Sequence, residues 1–196
     1  MERNKVMYHT MQAAFATRDG EADGAPVIEG YFAVFDSNYD MGHGMSESIA
    51  PGAFSEALSG DVRALIDHDT RLVLGRTIAH TLELREDSHG LWGRIYINPR
   101  DSEAMNLYER VKRGDVSQCS FGFEILSEET SFPADGEIHW RIKKVKLYEV
   151  SCCTYPAYEE TGIAARRKDR EQIKKRNAEA WKSSLLEKLK GENKSC

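Results

Sequence analysis

Between residues 5 and 156 the chain repeats one pattern. Short runs place apolar side chains at every second position and are cut apart by Gly, Pro, Asp and Ser. An extended run of this kind has one apolar and one polar face, and it cannot bury the apolar face alone. The body must therefore consist of sheets over a shared core. The runs are KVMYHTMQAAFATR (5–18), VIEGYFAVF (27–35), VRALID (62–67), LVLGRTIA (72–79), DVSQCSFGFEIL (115–126) and IHWRIKKVKLYEVSCCTY (138–155). HTLELRED (80–87) and GLWGRIYIN (90–98), joined through Ser88-His89-Gly90, predict a hairpin. The Gly- and Ser-rich stretch 36–52 reads as a long surface loop, and SEETSFPADGE (127–137) as an acidic one.

Helical period is confined to three places. Ala53–Leu58, opened by Pro51-Gly52, predicts a short helix. Residues 101–114 predict a longer one, with Asp101 or Ser102 as cap, Ala104, Leu107, Tyr108 and Val111 on one side, and Gly114 as the stop. Beyond Gly162 the pattern is helical again, with Ile173, Ala180, Leu185 and Leu189 as spaced apolar residues. The expected architecture is α+β and mainly β, a barrel or strongly curved sheet with a few helices. Residues 1–165 form its body, and 166–196 a helical or partly disordered tail.

Charge divides the chain at the same place. The net charge is -5, but the segment from Arg166 to Cys196 carries eleven Lys/Arg against five Asp/Glu, or +6, and leaves the body at -11. A basic tail on an acidic body predicts a partner of its own, nucleic acid or an acidic protein surface. Trp181 is its only aromatic residue, which argues against a nucleic-acid site. No apolar stretch is long enough to cross a membrane, and the opening MERNKVMYHTMQ lacks the apolar core of a signal peptide. The four cysteines include the neighbours Cys152 and Cys153 but no C-x-x-C pair, which predicts free thiols in a reducing, cytoplasmic setting.

Three residues can carry chemistry. Alternation in 115–126 puts Cys119, Phe121 and Phe123 on one face, and Gln118, Ser120 and Gly122 on the other. Ser120 is either an ordinary strand hydroxyl or a nucleophile, with Gly122 leaving room for a substrate backbone. His68 ends a strand in register with Ala64 and Ile66. It is either a hydrogen-bonded core histidine or a base whose pKa the flanking Asp67 and Asp69 raise. Glu149 falls in register with Val145 and Leu147, on an apolar face where an ionised carboxylate requires a partner. That partner is an arginine or an imidazolium. Cys119 is an alternative nucleophile, although its place beside Phe121 and Phe123 predicts an inert thiol. Metal binding through His68, His80 and the cysteines lacks H-x-x-x-H, H-E-x-x-H or paired C-x-x-C spacing.

Several segments, in order, resemble the prohead protease family of tailed bacteriophages, the serine proteases of capsid maturation. They are GYFAVFD, ESIAPGAF, IDHDTRLVLGRT, DSHGLWGRIYI, RGDVSQCSFGF and LYEVSCCTYPAY, within residues 28–164. A more distant similarity links the chain to herpesvirus assemblins, in His68 ahead of Leu74-Gly75-Arg76 and in Glu149 followed by Val150-Ser151-Cys152-Cys153. The resemblance implies Ser120 as nucleophile, His68 as base, Glu149 as orienter and an assemblin-like barrel surrounded by helices. Oxyanion-hole donors are expected from backbone N–H groups near Ser120 or within 156–165.

The implied function is a serine endopeptidase that needs no cofactor. It would cleave scaffold or the scaffolding region of the major capsid protein, and itself, inside the procapsid in the host cytoplasm. The portal protein and self-association are further implied partners. The alternatives are a catalytically silent morphogenesis or scaffold protein of the same fold, and a cysteine hydrolase using Cys119.

Overall fold

In the computed structural model, the two longest strands are neighbours, and most of the body is arranged around them. The structure describes residues 6–19, 25–134, 136–155 and 160–192. In chain order the body contains β1 (Met7–Gln12), β2 (Ala16–Arg18), β3 (Val27–Val34), β4 (Tyr39–Asp40), β5 (Met45–Ile49), β6 (Arg63–Ile66) and β7 (Asp69–Arg76). There follow β8 (Leu82–Glu86), β9 (Gly90–Tyr96), α1 (Ser102–Arg113), β10 (Gln118–Ser131) and β11 (Ile138–Cys153). Compact units cover residues 1–159 and 160–196, and the second contains the helix α2 (Glu160–Glu192). On α2, Trp181, Leu185 and Leu186 are exposed.

β10 and β11 pair antiparallel. With 16 residues, β11 is long enough for two parallel partners on its other edge, β5 along Ile138–Ile142 and β6 along Glu149–Cys152. β1 borders β10, β4 borders β5 and β7 borders β6, which completes a seven-stranded sheet. The second sheet has the order β2-β3-β9-β8. Cys119, Phe121, Phe123, Val145, Leu147 and Val150 of the first sheet share one core cluster with Ile28, Phe32, Leu91 and Ile95 of the second.

Both sheets are open, with unpaired edges among the described residues, so the expected barrel is not formed. Residues 5–18 are the physical reason. They do not run as one strand: β1 ends at Gln12, and the chain crosses to the other sheet through Ala13–Phe15, where Ala13 N–H donates to the Ser117 carbonyl at 2.9 Å. The supposed surface loop 36–52 contains β4 and β5, and Met45, Glu47 and Ile49 are buried. Two of its glycines, Gly42 and Gly44, serve the turn between those strands, with φ of 73° and 71°. The acidic loop is shorter than expected because β10 continues to Ser131. The predicted helix at 53–58 is a series of turns ending in a 3₁₀ turn, Ala57–Ser59.

Elsewhere local chemistry and structure agree. The Asp101 carboxylate accepts from Glu103 and Ala104 N–H at the start of α1, and Gly114 ends it at φ 87°. Ala104, Leu107, Tyr108 and Val111 are its buried residues. β8 and β9 form the expected hairpin.

Glu29 shows how the second sheet tolerates a buried charge. Burial alone pushes its carboxyl pKa up, but Arg94, 2.8 Å away and directly opposite on β9, together with Arg18, brings it below the usual range. The resulting stabilisation is present above the unfolded pKa of about 4.3 and is lost as pH falls through the lower folded value. Glu29→Gln is expected to lower stability by about 1–2 kcal/mol at pH 7. Urea unfolding should show the difference from the parent chain shrinking as pH falls from 5 to 3.

Candidate functional site

His68 sits on a turn rather than on the strand that alternation predicts. Asp67 and His68 form the two-residue turn closing the Ile66–Asp69 pair, with φ of 47° and 60°. Left-handed backbone at both central positions matches the twist of the flanking strands, but it is costly for non-glycine residues. Tertiary bonds hold it. Asp67 N–H donates to the Cys152 carbonyl at 3.1 Å, and the Asp67 carboxylate accepts from Thr154 N–H at 2.7 Å and Thr154 Oγ1 at 2.9 Å. Asp69 is engaged by Arg71, whose hydrogen bonds bring the carboxyl down to about 2. The flanking carboxylates are thus committed elsewhere, and the one that reaches the ring is Glu149.

Glu149 also departs from its expected register. Leu147 pairs with Phe123, but Glu149 pairs with Gly122, so Tyr148 is an extra residue in β11. This β-bulge reverses the alternation. Val145, Leu147 and Val150 stay in the core, and Glu149 moves to the face that carries Ser120, Gly122 and Ser151. There Glu149 Oε1 accepts from His68 Nδ1 at 2.8 Å, with only 10% of its side chain exposed and 18% of the histidine's. A proton on Nδ1 leaves Nε2 with a free lone pair, as a general base requires.

Gly122 has a different use from the one expected. A Cβ there would stand 2.5 Å from Glu149 Oε1 and 3.0 Å from Tyr8 Cε1. Its missing side chain therefore makes room for the carboxylate and the Tyr8 ring. Tyr8 meets His68 edge-on, with ring centroids 4.4 Å apart. Burial, and then the Glu149 charge, pushes its phenol pKa up.

Ser120 is fully buried, in register with Thr10 on β1 and Ser151 on β11. Its hydroxyl has no hydrogen-bond partner among the described residues. Such a group is costly to leave unmade in a core, and an unused one beside a histidine–carboxylate pair is a functional signal. The structure joins His68 to Glu149 and places Ser120 on the same face, but it forms no bond between Ser120 and His68. His68 Nε2 instead stands 3.8 Å from Cys153 Sγ. Burial, followed by the charges of Asp67 and Glu149, pushes the Cys153 thiol up, so it stays protonated. Cys119 faces the core, and burial pushes it up to about 12. Among the described residues no cluster of three or more His, Cys, Asp or Glu could hold a metal ion. No described helix is long and apolar enough to cross a membrane. Residues 156–159, within the segment expected to hold oxyanion donors, lie outside the described residues.

The residues that strand reading missed are Ser151, Tyr8 and Cys153. Ser151 and Cys153 stand two and four residues beyond Glu149 on one strand, a spacing that puts all three on one face; Tyr8 reaches the site through the pairing of β1 with β10.

This architecture is the fold of a phage capsid protease. It is similar to the bacteriophage T4 capsid assembly protease, with a TM-score of 0.53 at 11% identity, covering 78% of this chain and 98% of that one. The profile of the caudovirus prohead serine protease family matches residues 13–176, and the chain belongs to that family. It is 33% identical over 143 residues to the prohead protease of Enterobacteria phage HK97. That match covers 71% of this chain and 59% of the relative's length.

Gly122→Ala tests the packing around the carboxylate. The added methyl should displace Glu149 from His68 and reduce any activity at this site by about a hundredfold. Thermal unfolding should show a cost of about 1–3 kcal/mol, because the crowded carboxylate loses a buried hydrogen bond and the strand's gain from losing a glycine offsets only part of it.

Proposed function

We propose that the chain is a serine endopeptidase of capsid maturation, with Ser120 as nucleophile, His68 as general base and Glu149 as its orienting carboxylate. The observation that carries this reading is the 2.8 Å His68–Glu149 bond on the sheet face holding the buried Ser120 hydroxyl, which has no partner among the described residues. Family membership supports it. His68 Nε2 takes the Ser120 proton as Oγ attacks the scissile carbonyl, and Glu149 stabilises the imidazolium. The imidazolium then protonates the leaving amine, an acyl-enzyme remains, and water releases it with His68 again as base. Substrate entry requires Ser120 to become accessible and Nε2 to exchange the Cys153 contact for Ser120; apo sites commonly tighten in this way. The substrates proposed are the scaffolding region of the major capsid protein and the chain itself, inside the procapsid.

The contact between Cys153 and Nε2 supports a second reading, a thiol nucleophile on the same histidine, which the raised thiol pKa opposes. The tail is proposed to dock the body to scaffold through its +6 charge and the exposed Trp181, Leu185 and Leu186.

Intact-mass analysis with the cognate capsid protein in assembling procapsids separates these readings. The parent chain and Cys153→Ala are expected to cleave, and Ser120→Ala to lose roughly a thousandfold or more. Loss with Cys153→Ala but not Ser120→Ala would transfer the nucleophile to the thiol. Absence of cleavage by any chain would favour a silent morphogenesis protein. Deleting 166–196 should lower the copies of the chain recovered per procapsid, and unchanged recovery would remove the docking role.

A further inference from the structure

Glu149 has two carboxylate oxygens, and the histidine uses one. Its Oε2 accepts from Ser151 Oγ at 2.5 Å, while the same Oγ accepts from the His68 backbone N–H at 3.3 Å. Ser151 is fully buried, paired in register with Ser120 on β10 and with Leu65 on β6. An ionised carboxylate cannot donate, so the single hydroxyl proton is committed to Glu149 and a lone pair faces the turn. One side chain therefore fixes both halves of the pair, the carboxylate of Glu149 and the strained turn that presents His68.

We propose that Ser151 is a positioning residue, whose hydroxyl holds Glu149 and the His68 turn in the geometry that directs the imidazole Nδ1–H onto the carboxylate. The proposal rests on the roles assigned above to His68 and Glu149. Without the hydroxyl, Glu149 Oε2 loses a donor and His68 N–H loses an acceptor, both in a site closed to replacement water by its burial. The ring is then held by the Tyr8 edge contact and one hydrogen bond. The titratable and charged groups that face the pair are Asp67 on the same turn, Cys153 on β11, Tyr8 on β1 and Arg63, which pairs in register with Glu149.

The test uses the full chain carrying Ser120→Ala, so that no processing intervenes. Proton NMR should show a downfield, slowly exchanging His68 Nδ1–H resonance. Ser151→Ala should move it upfield and speed its exchange, and Ser151→Thr, which keeps the hydroxyl, should restore it. In the active chain Ser151→Ala should lower kcat by about ten- to a hundredfold with KM unchanged. An unchanged Nδ1–H resonance in Ser151→Ala would overturn the proposal. If both variants fail to fold, the unsubstituted Ser151 hydroxyl proton decides: a slowly exchanging signal close to His68 supports the role, and its absence overturns it. These spectra need no proteolysis, so failure of the positioning role and failure of the protease reading give separate results.

Discussion

A carboxylate removed from water must be supplied with donors, and Glu149 is supplied with two. Its Oε1 takes the His68 ring proton and its Oε2 the Ser151 hydroxyl proton. Ionised and unpartnered at the same depth, it would cost several kcal/mol. Much of the site follows from meeting that demand. The bulge at Tyr148 moves the side chain off the core face, Gly122 vacates the space it fills, and the turn at Asp67-His68 brings the ring to it. Each of the three breaks a local preference, and each is held by neighbours on other strands.

The length of β11 makes this assembly possible. Its first half pairs with β5 and its second with β6, so the strand carrying Glu149 also anchors the strand that leads into His68. On its other edge β10 carries Ser120 opposite Ser151. Three segments distant in sequence thus meet through backbone ladders, a more rigid support than loops provide. The opposite faces of β10 and β11 contribute Phe121, Phe123 and Val150 to the core. The interactions that hold the two sheets together therefore also hold the site's register.

Local chemistry carries through to much of the structure, although the run 53–58 forms turns where its pattern predicts a helix. The ends of α1, the β8–β9 hairpin and the face of Ser120 each follow from residues a few positions apart, through capping, turn chemistry and alternation. At the site, the departures from expectation fall where one inserted or strained residue resets the pattern. Alternation assigned Glu149 to the face of Leu147 and His68 to that of Ala64, and neither a bulge nor a left-handed turn has a unique local signature here. β5 was missed because its Gly- and Ser-rich surroundings resemble a loop, and its pairing with β11 is parallel and remote.

The sequence by itself determined that the body is built from sheets and that a helix spans Ser102–Arg113, and it singled out Ser120, His68 and Glu149 as candidates. It also carried the family's ordered segments. Tertiary structure alone decided that the sheets remain open, that His68 and Glu149 meet at 2.8 Å, and that Ser151 and Cys153 border the pair. The physical reason is range. Periodicity, caps and turns act over a few residues, whereas bulges, parallel registers and buried hydrogen bonds are settled by partners dozens of positions away.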